Sequence, residues 1–490
     1  MSVMKNTKNI LKYVAIIIII AIAAVSTLYY LRLNITQKEK ETYASAIKEG
    51  DRLLERRDYG KALENYADAA ETIPQKKEAY DKIVDLLVLK RRFDDAKDVV
   101  EKSTKVLNGS DRSGILRKLS LAYYNDNQYE KAEKYYLDAD SSKSTEEGFL
   151  GLARTYLKLN NTEKANKFLG KIDSGTGNVA LEKGLLSAYL LKTNTVDAKK
   201  IFDGWDLTLE EDKDLITKAN DYIKLVNSLG KDDLYNKALL AREYINSGYP
   251  VIAIELLEPE GSKMKDYPDG LYFLARAYYD AGKYSSALDI LNQALGFDTY
   301  ADEMYLMIAR INMINNDQNA AFDAYEKAVS FASDSKKVGI YEEYVSILLQ
   351  AKSFSEAKNH LDAVDKITTD VWVQFKYIEM YYEQKDYPKI LSALAVVSKI
   401  SALTDEEKKE YMKWQIVYDI ENDKLASAKE LLGTLKSLDR FNPEYYLLSG
   451  RIDLIENSTE KAKENLNTAI NYDLDGEVTE SAKKLLGRIE

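Results

Sequence analysis

The sequence predicts an all-α protein: a right-handed α-solenoid of stacked helix-turn-helix repeats, preceded by an N-terminal transmembrane helix. Three observations predict this fold class. Small residues recur at intervals of about 34 residues along most of the chain. Within each interval, apolar residues fall at i, i+3 or i+4 and i+7, which is a helical spacing. Near the N-terminus, residues 14–31 form a run without any charged side chain.

The N-terminal segment has the composition of a membrane anchor. Its first 34 residues contain no acid and four cations, namely Lys5, Lys8, Lys12 and Arg32. A helix over residues 14–31 would extend roughly 27 Å, close to the thickness of a bilayer's hydrocarbon core. We therefore predict a basic tail over 1–12, a transmembrane anchor over 13–32 in contact with the lipid bilayer, and a polar tether over 33–42. A cleavable signal peptide is the alternative, since Ala21-Ile22-Ala23 offers a small-x-small cleavage site.

Charge indicates orientation and excludes one class of partner. A basic head before an apolar run favours an N-terminus inside the cell and the long domain outside. The abundance of Lys, Ile, Asn and Tyr is typical of bacterial proteins, so we predict a single-pass protein of a bacterial plasma membrane. The chain carries a net charge of −11, which leaves −15 on the remainder once the four N-terminal cations are set aside. Such acidity argues against nucleic acid as a partner.

A small residue marks the second helix of each repeat, and we call this set the contact residues. They are Ala62, Ala96, Ala132, Ala165, Ala198, Ala253, Ala287, Ala321, Ala357, Ile390, Ala428 and Ala462. The intervals between them are 33 to 38 residues, except for one of 55. A polar turn often precedes them, as in Arg57-Asp58-Tyr59 and Gly282-Lys283-Tyr284. Two antiparallel helices can approach closely where small residues meet, and one hairpin cannot bury its apolar face alone, so the hairpins must stack.

The frame of Gly50, Ala62, Tyr66, Ala69 and Pro74 in the first repeat resembles the tetratricopeptide repeat, and its variants cover about residues 43–472. The closing Pro is mostly absent from later repeats, and Ile390 replaces the expected Ala. We predict five repeats over 43–204, an irregular helical insert over 205–234, seven repeats over 235–472, and a capping helix over 473–490. The alternative reading of the insert is a degenerate repeat.

Few residues could carry chemistry. The chain has no Cys, which excludes disulfides, thiolate metal sites and cysteine nucleophiles. His360 is its one imidazole and is interpreted as an exposed residue on a second helix. Gly175-Thr176-Gly177 lies between helical hairpins rather than after a strand, so it lacks the context of a dinucleotide-binding loop. We predict no enzyme activity, no cofactor and no metal.

One set of residues follows from the period. Arg242, Arg276 and Arg310 are spaced 34 residues apart and each lies eleven residues before a contact residue, so stacking would align them. Arg154 and Arg451 occupy the same place in two other repeats. Resemblance to the family implies that this arginine column lies on a concave groove that takes extended or helical peptides. It places Tyr272 and Tyr279 on the same groove.

Two hypotheses for the arginine column remain open at this stage. Arginine donors beside tyrosine rings would suit an acidic segment or a C-terminal carboxylate. Alternatively, each Arg pairs with an acid of its own array, such as Asp269, Asp280 or Glu303. The family's chaperone-binding clamp is not supported, because Ile47 and Asp51 stand where a Lys and Asn set would be needed.

The function predicted from sequence is a membrane-anchored scaffold that binds a protein or peptide partner on the groove without catalysis. One alternative is a cytoplasm-facing membrane adaptor for complex assembly or protein quality control. A second is an envelope enzyme with an unrecognised carboxylate site.

Overall fold

The computed structural model describes residues 36–173, 177–203, 213–474 and 476–489. Within these ranges the chain forms 26 α-helices, one 3₁₀ turn and no β-strand. The all-α prediction is therefore confirmed. The chain divides into two compact units, one up to Ile115 and one from Leu116 onward.

The first unit contains two helical hairpins. Its helices are α1 (Gln37–Glu55), α2 (Tyr59–Thr72), α3 (Lys77–Leu89) and α4 (Phe93–Ser103). Helix α5 (Gly109–Asn125) contains the division between the units. The two hairpins are joined by hydrogen bonds between their first helices, because the Tyr43 hydroxyl donates to Glu78 at 3.1 Å and Lys82 Nζ donates to Asp51 at 2.6 Å.

The second unit continues the same alternation of first and second helices. Its helices are α6 (Tyr129–Ser142), α7 (Glu146–Lys158), α8 (Thr162–Leu169), α9 (Gly177–Leu190), α10 (Thr195–Ile201), α11 (Lys213–Ser228), α12 (Asp233–Asn246), α13 (Pro250–Leu257), α14 (Pro268–Asp280), α15 (Tyr284–Ala294), α16 (Ala301–Ile314), α17 (Gln318–Phe331), α18 (Asp334–Gln350), α19 (Phe354–Val364), α20 (Trp372–Glu383), α21 (Tyr387–Val397), α22 (Asp405–Glu421), α23 (Leu425–Leu438), α24 (Pro443–Ile455), α25 (Thr459–Tyr472) and α26 (Glu477–Leu486).

The contact residues lie where the two helices of each hairpin meet. All eleven alanines among them are fully buried, and Ile390 is 1% exposed. Glycine provides the closest approaches on the opposing helices. A Cβ atom at Gly50 would lie 2.4 Å from the Tyr66 ring, and one at Gly151 would lie 2.4 Å from the Tyr136 ring. Small side chains therefore allow large tyrosine rings to pack directly on the neighbouring backbone.

The turn inside each hairpin has one recurring backbone feature. Eleven of the contact residues are preceded, five positions earlier, by a residue with φ between +53° and +84°, from Arg57 and Arg91 to Asn457. In several hairpins the next residue caps the second helix: the Asp58 and Asn161 side chains each accept a hydrogen bond from a backbone N–H three residues on. The left-handed residue reverses the chain, and the cap satisfies the first free N–H of the second helix.

The period is interrupted between α10 and α12. Helix α11 lies between two hairpins and packs through Tyr222, whose hydroxyl donates to the Ala188 carbonyl at 3.2 Å. The Tyr222 ring centroid is 4.8 Å from that of Tyr189 and 6.5 Å from that of Tyr244. Residues 204–212 of the predicted insert lie outside the described residues, and the predicted domain limits remain predictions.

The membrane assignment requires correction. The predicted basic tail and transmembrane anchor over residues 1–32 lie outside the described residues. Across the part of the chain that the structure does describe, no helix combines the length and apolar character needed to span a bilayer. The prediction of a single-pass membrane protein is thus not supported, and we do not retain it.

Candidate partner-binding surface

Arg242 is the first member of the arginine column in the second unit. It lies on α12 and is exposed. No salt bridge joins its guanidinium to any residue in the described ranges. An exposed guanidinium has five N–H donors available to a ligand.

Arg276 lies on α14 and faces an acid on the same helix. Its Nε atom is 3.8 Å from Asp280 Oδ2, and the two side chains are 35% and 34% exposed. Burial raises the pKa of Asp280 above its usual value, against the opposing effect of Arg276, Lys158 and Arg310. The separation is too long for a hydrogen bond, so the pairing of Arg276 is loose.

Arg310 is held more firmly. From α16 its Nε and Nη2 donate to the two carboxylate oxygens of Glu343 on α18, at 2.9 and 2.6 Å. The Tyr325 hydroxyl donates to the same carboxylate at 2.6 Å. Burial raises the pKa of Glu343, but the hydrogen bonds from Arg310 and Tyr325 outweigh it, so the pKa lies below its usual value. The bond to Glu343 raises the pKa of Arg310.

The two tyrosines of the predicted site have different surroundings. Tyr272 is 4% exposed, its hydroxyl donates to Glu303, and its ring stacks on Tyr300 with centroids 4.1 Å apart. Tyr279 is only partly buried, and its ring centroid is 5.8 Å from that of Tyr284. Tyr272 is therefore part of the packing between repeats, whereas Tyr279 keeps exposed surface beside the arginines.

The structure brings Arg276, Tyr279, Asp280, Arg310 and Glu343 together on α14, α16 and α18, and we call this set the arginine face. Pairing within the array is present at both arginines of this face. The sequence reasoning named Asp280 but missed Glu343. Glu343 follows Arg310 by 33 residues, so a search for acids one repeat after each Arg would have found it.

A second set of residues surrounds Arg154, which occupies the same column on α7. Its Nε atom is 3.4 Å from Glu182 Oε1 and its Cζ atom is 5.8 Å from the centroid of the Tyr124 ring. We call Tyr124, Tyr136, Arg154, Glu182 and Tyr249 the Arg154 cluster. Burial raises the pKa of Tyr124, Tyr136 and Tyr249, so little solvent reaches this cluster. Arg451 also pairs with an acid, since its Nη2 is 2.7 Å from Glu421.

His360 differs from its predicted exposure. Its side chain is 12% exposed, and its Nε2 atom is 2.9 Å from Glu326 Oε1. Its ring packs on those of Tyr341 and Tyr344, with centroids 5.6 and 4.8 Å away. The imidazole therefore belongs to the packing between α17, α18 and α19.

A polar cavity of about 300 Å³ lies between α22, α24 and α26. The Lys413 ammonium stands between Glu410 and Glu444, 3.2 and 3.5 Å from their carboxylates. Burial raises the pKa of Glu444. Among the described residues, no group of three or more His, Asp or Glu side chains could hold a metal ion. The cavity carboxylates are paired with lysine and show no arrangement of nucleophile and base.

Comparison with known proteins identifies the repeat. The family model of the tetratricopeptide repeat matches residues 302–335, which include the α16–α17 hairpin. No curated protein sequence gives a significant match.

Several solved structures are similar to the chain. The structure of Naa15/Naa10 bound to HypK-THB is 15% identical, covers 91% of this chain and 86% of its own, and has a TM-score of 0.38. Yeast Tom70 is 13% identical, with coverages of 92% and 96% and a TM-score of 0.34. A tetratricopeptide repeat protein from Parabacteroides merdae ATCC 43184 is 16% identical, with coverages of 52% and 98% and a TM-score of 0.37. These similarities are too low to carry a function from any of them.

Stacked helical hairpins with buried small contact residues define a helical-repeat protein, a class that serves as scaffolds for protein interaction. The chain belongs to the tetratricopeptide-repeat family. Proteins of this fold are typically non-enzymatic.

Proposed function

We propose that the chain binds a polypeptide partner along the arginine face and the adjoining surface of α12, without covalent chemistry or a cofactor. The partner contacts would come from Arg242, Arg276 and Arg310 together with Tyr272 and Tyr279. The observation that carries the proposal is Arg242, an exposed guanidinium at the start of the column with no salt bridge to the described residues. An acidic segment or a C-terminal carboxylate would supply the missing acceptors.

The three arginines would contribute unequally. Arg242 can bind a carboxylate without giving up a partner, and Arg276 gives up only a contact of 3.8 Å. Arg310 would have to exchange two short hydrogen bonds to Glu343 for new ones, so its net gain is small. Tyr272 would support the surface by holding α14 against α16 rather than by direct contact, because it is buried. Tyr279 offers its exposed ring edge.

The test uses fluorescein-labelled hexaglutamate as the probe and hexalysine as the matched cationic peptide. In fluorescence anisotropy, Arg242→Gln should weaken hexaglutamate binding by about tenfold, which corresponds to the loss of one charge-assisted contact. Arg310→Gln should weaken it less. Arg56→Gln in the first unit changes an exposed Arg away from the column and serves as the control.

Two results would contradict the proposal. One is equal binding of hexaglutamate and hexalysine to the unmodified protein. The other is binding by the Arg242→Gln protein that is as tight as that of the Arg56→Gln control. Added salt should weaken the interaction, because the charged groups involved are exposed.

A further inference from the structure

The turn between α7 and α8 contacts two turns much later in the chain. Lys158 Nζ donates to the Gly248 carbonyl at 2.6 Å, in the turn between α12 and α13. Asn160 Nδ2 reaches the Ala281 carbonyl at 3.5 Å, in the turn between α14 and α15. These contacts join residues 90 and 121 positions apart, whereas the other links between neighbouring repeats join residues about 30 apart.

Two further bonds reinforce this contact. The Thr162 hydroxyl donates to Glu255 Oε1 at 2.5 Å, and Lys192 Nζ is 2.7 Å from Glu255 Oε2. Glu255 on α13 thus receives bonds from α8 and from the end of the α9 hairpin arm. We call Lys158, Asn160, Thr162, Lys192 and Glu255 the clasp.

The clasp positions one aromatic side chain over the Arg154 cluster. Tyr249 directly follows Gly248, and its ring centroid is 5.8 Å from Lys158 Nζ and 6.3 Å from the Tyr189 ring. Burial, then the proximity of Tyr124 and Glu182, raises the pKa of Tyr249 well above its usual value. Its ring therefore occupies space beside Arg154 that would otherwise be open to solvent.

Arg154 and Arg242 occupy the same place in their repeats, yet only Arg242 is exposed. We propose that Tyr249 acts as an internal ligand of the Arg154 cluster, held there by the clasp, and that it closes this part of the arginine column to partners. The closure rests on the proposed function for what is excluded, namely a polypeptide partner. Partner contacts are then confined to α12 and the helices after it.

The closure is tested without any partner, so its failure is distinct from failure of peptide binding. The chain has no Cys, so introduced cysteines can be labelled singly. Spin labels on Lys167→Cys and Ser285→Cys, both exposed positions on the two sides of the clasp, report its separation by pulsed electron resonance. The clasp variant is Lys158→Gln with Glu255→Gln. The control is Asp197→Asn with Lys200→Gln, which removes an exposed pair within α10.

A second readout reports access to the cluster. A single cysteine at Tyr124→Cys is labelled with a maleimide in the native protein and in both variants. We expect the clasp variant to show a longer and broader label distance, and Cys labelling about tenfold faster than in the control. Circular dichroism verifies that all variants keep their helix content, and Lys158→Arg should restore the closed distance.

An unchanged label distance in the clasp variant would overturn the inference, because the clasp bonds would then not hold the two sides together. Equally fast Cys labelling in the unmodified and clasp-variant backgrounds would also overturn it, because Tyr249 would not be closing the cluster.

Discussion

Arg154 and Arg310 stand at the same place in the repeat but in different surroundings. Arg310 forms two hydrogen bonds to Glu343 on the next first helix and remains 40% exposed. Arg154 pairs with Glu182 at 3.4 Å and is covered by a turn that comes about 90 residues later. The period therefore positions the column, while the interruption around α11 determines which part of it solvent can reach.

The largest expected difference between the two regions comes from removing the arginines. Arg154→Met should destabilise the second unit by about 3 kcal/mol, because Glu182 is left without its cation in a partly buried cluster. Arg310→Met should cost about 1 kcal/mol, since Glu343 is more exposed and keeps the Tyr325 hydrogen bond. Urea unfolding measures both. Equal losses would show that the two regions are not different in burial.

Glycine substitutions compare the packing of the regions. Gly151→Ala should cost about 1 to 3 kcal/mol, because its Cβ would meet the Tyr136 ring at 2.4 Å. Gly339→Ala on α18, where no atom lies within 4 Å of the added Cβ, should instead stabilise by about 0.5 to 1 kcal/mol. Thermal unfolding followed by circular dichroism distinguishes the two signs. Stabilisation by both would indicate a loosely packed Arg154 cluster.

The two regions should also lose stability at opposite ends of the pH scale. Burial raises the pKa of Tyr222, beside Tyr189 and Tyr244, to about 12. The neutral phenol is favoured in the folded state, so its contribution is complete below pH 10 and is lost as pH rises toward 12. The loss is on the order of 2 kcal/mol.

Glu343 on the arginine face behaves in the reverse way. Its pKa lies below the ordinary value of 4.5, so its contribution is present above that value and is lost as pH falls below it. Hydrogen exchange with peptide-level resolution should show α11 and α12 opening first in alkali and α16–α18 opening first in acid. A Tyr222→Phe variant should reduce the alkaline effect. The same order of opening at both extremes would refute the assignment.

The smallest expected effect concerns the left-handed turn residues. Lys352 adopts φ +58° in the turn before α19. Lys352→Gly should stabilise by about 0.5 to 1 kcal/mol, since glycine adopts this conformation without steric cost. Asn160→Gly should give less or even a loss, because Asn tolerates the conformation and its amide reaches Ala281. Matched melting curves decide between these outcomes.

Much of the fold could be predicted from the sequence. Buried residues such as Ala62 and Ala462 were found by spacing alone, because helix approach admits only small side chains at that point. The polar turn was also visible, for Arg57-Asp58-Tyr59 combines the left-handed residue, the cap and the start of α2. What spacing could not give is the partner of each side chain, since that depends on the tilt of successive hairpins.

The candidate site shows the same division. The alignment of Arg276 and Arg310 follows from the period, and the pairing of Arg276 with Asp280 was one of the two readings. The burial of Tyr272 against Tyr300 was not foreseen, because a residue from the connection before α16 supplies the covering ring. The clasp was invisible for a similar reason. It joins Lys158 to Gly248 across the irregular interval, where no repeat frame connects the two positions.

The constant distance between the left-handed turn residue and the contact residue has a consequence for how the chain tolerates changes in length. Eleven hairpins keep five residues between these positions, while the spacing of the contact residues themselves varies. All gains and losses of length therefore lie in the helices and in the connections between hairpins. An inserted loop should be accepted between α17 and α18, but a single residue added between Asn316 and Ala321 would rotate α17 by about 100° and turn its apolar face away from α16.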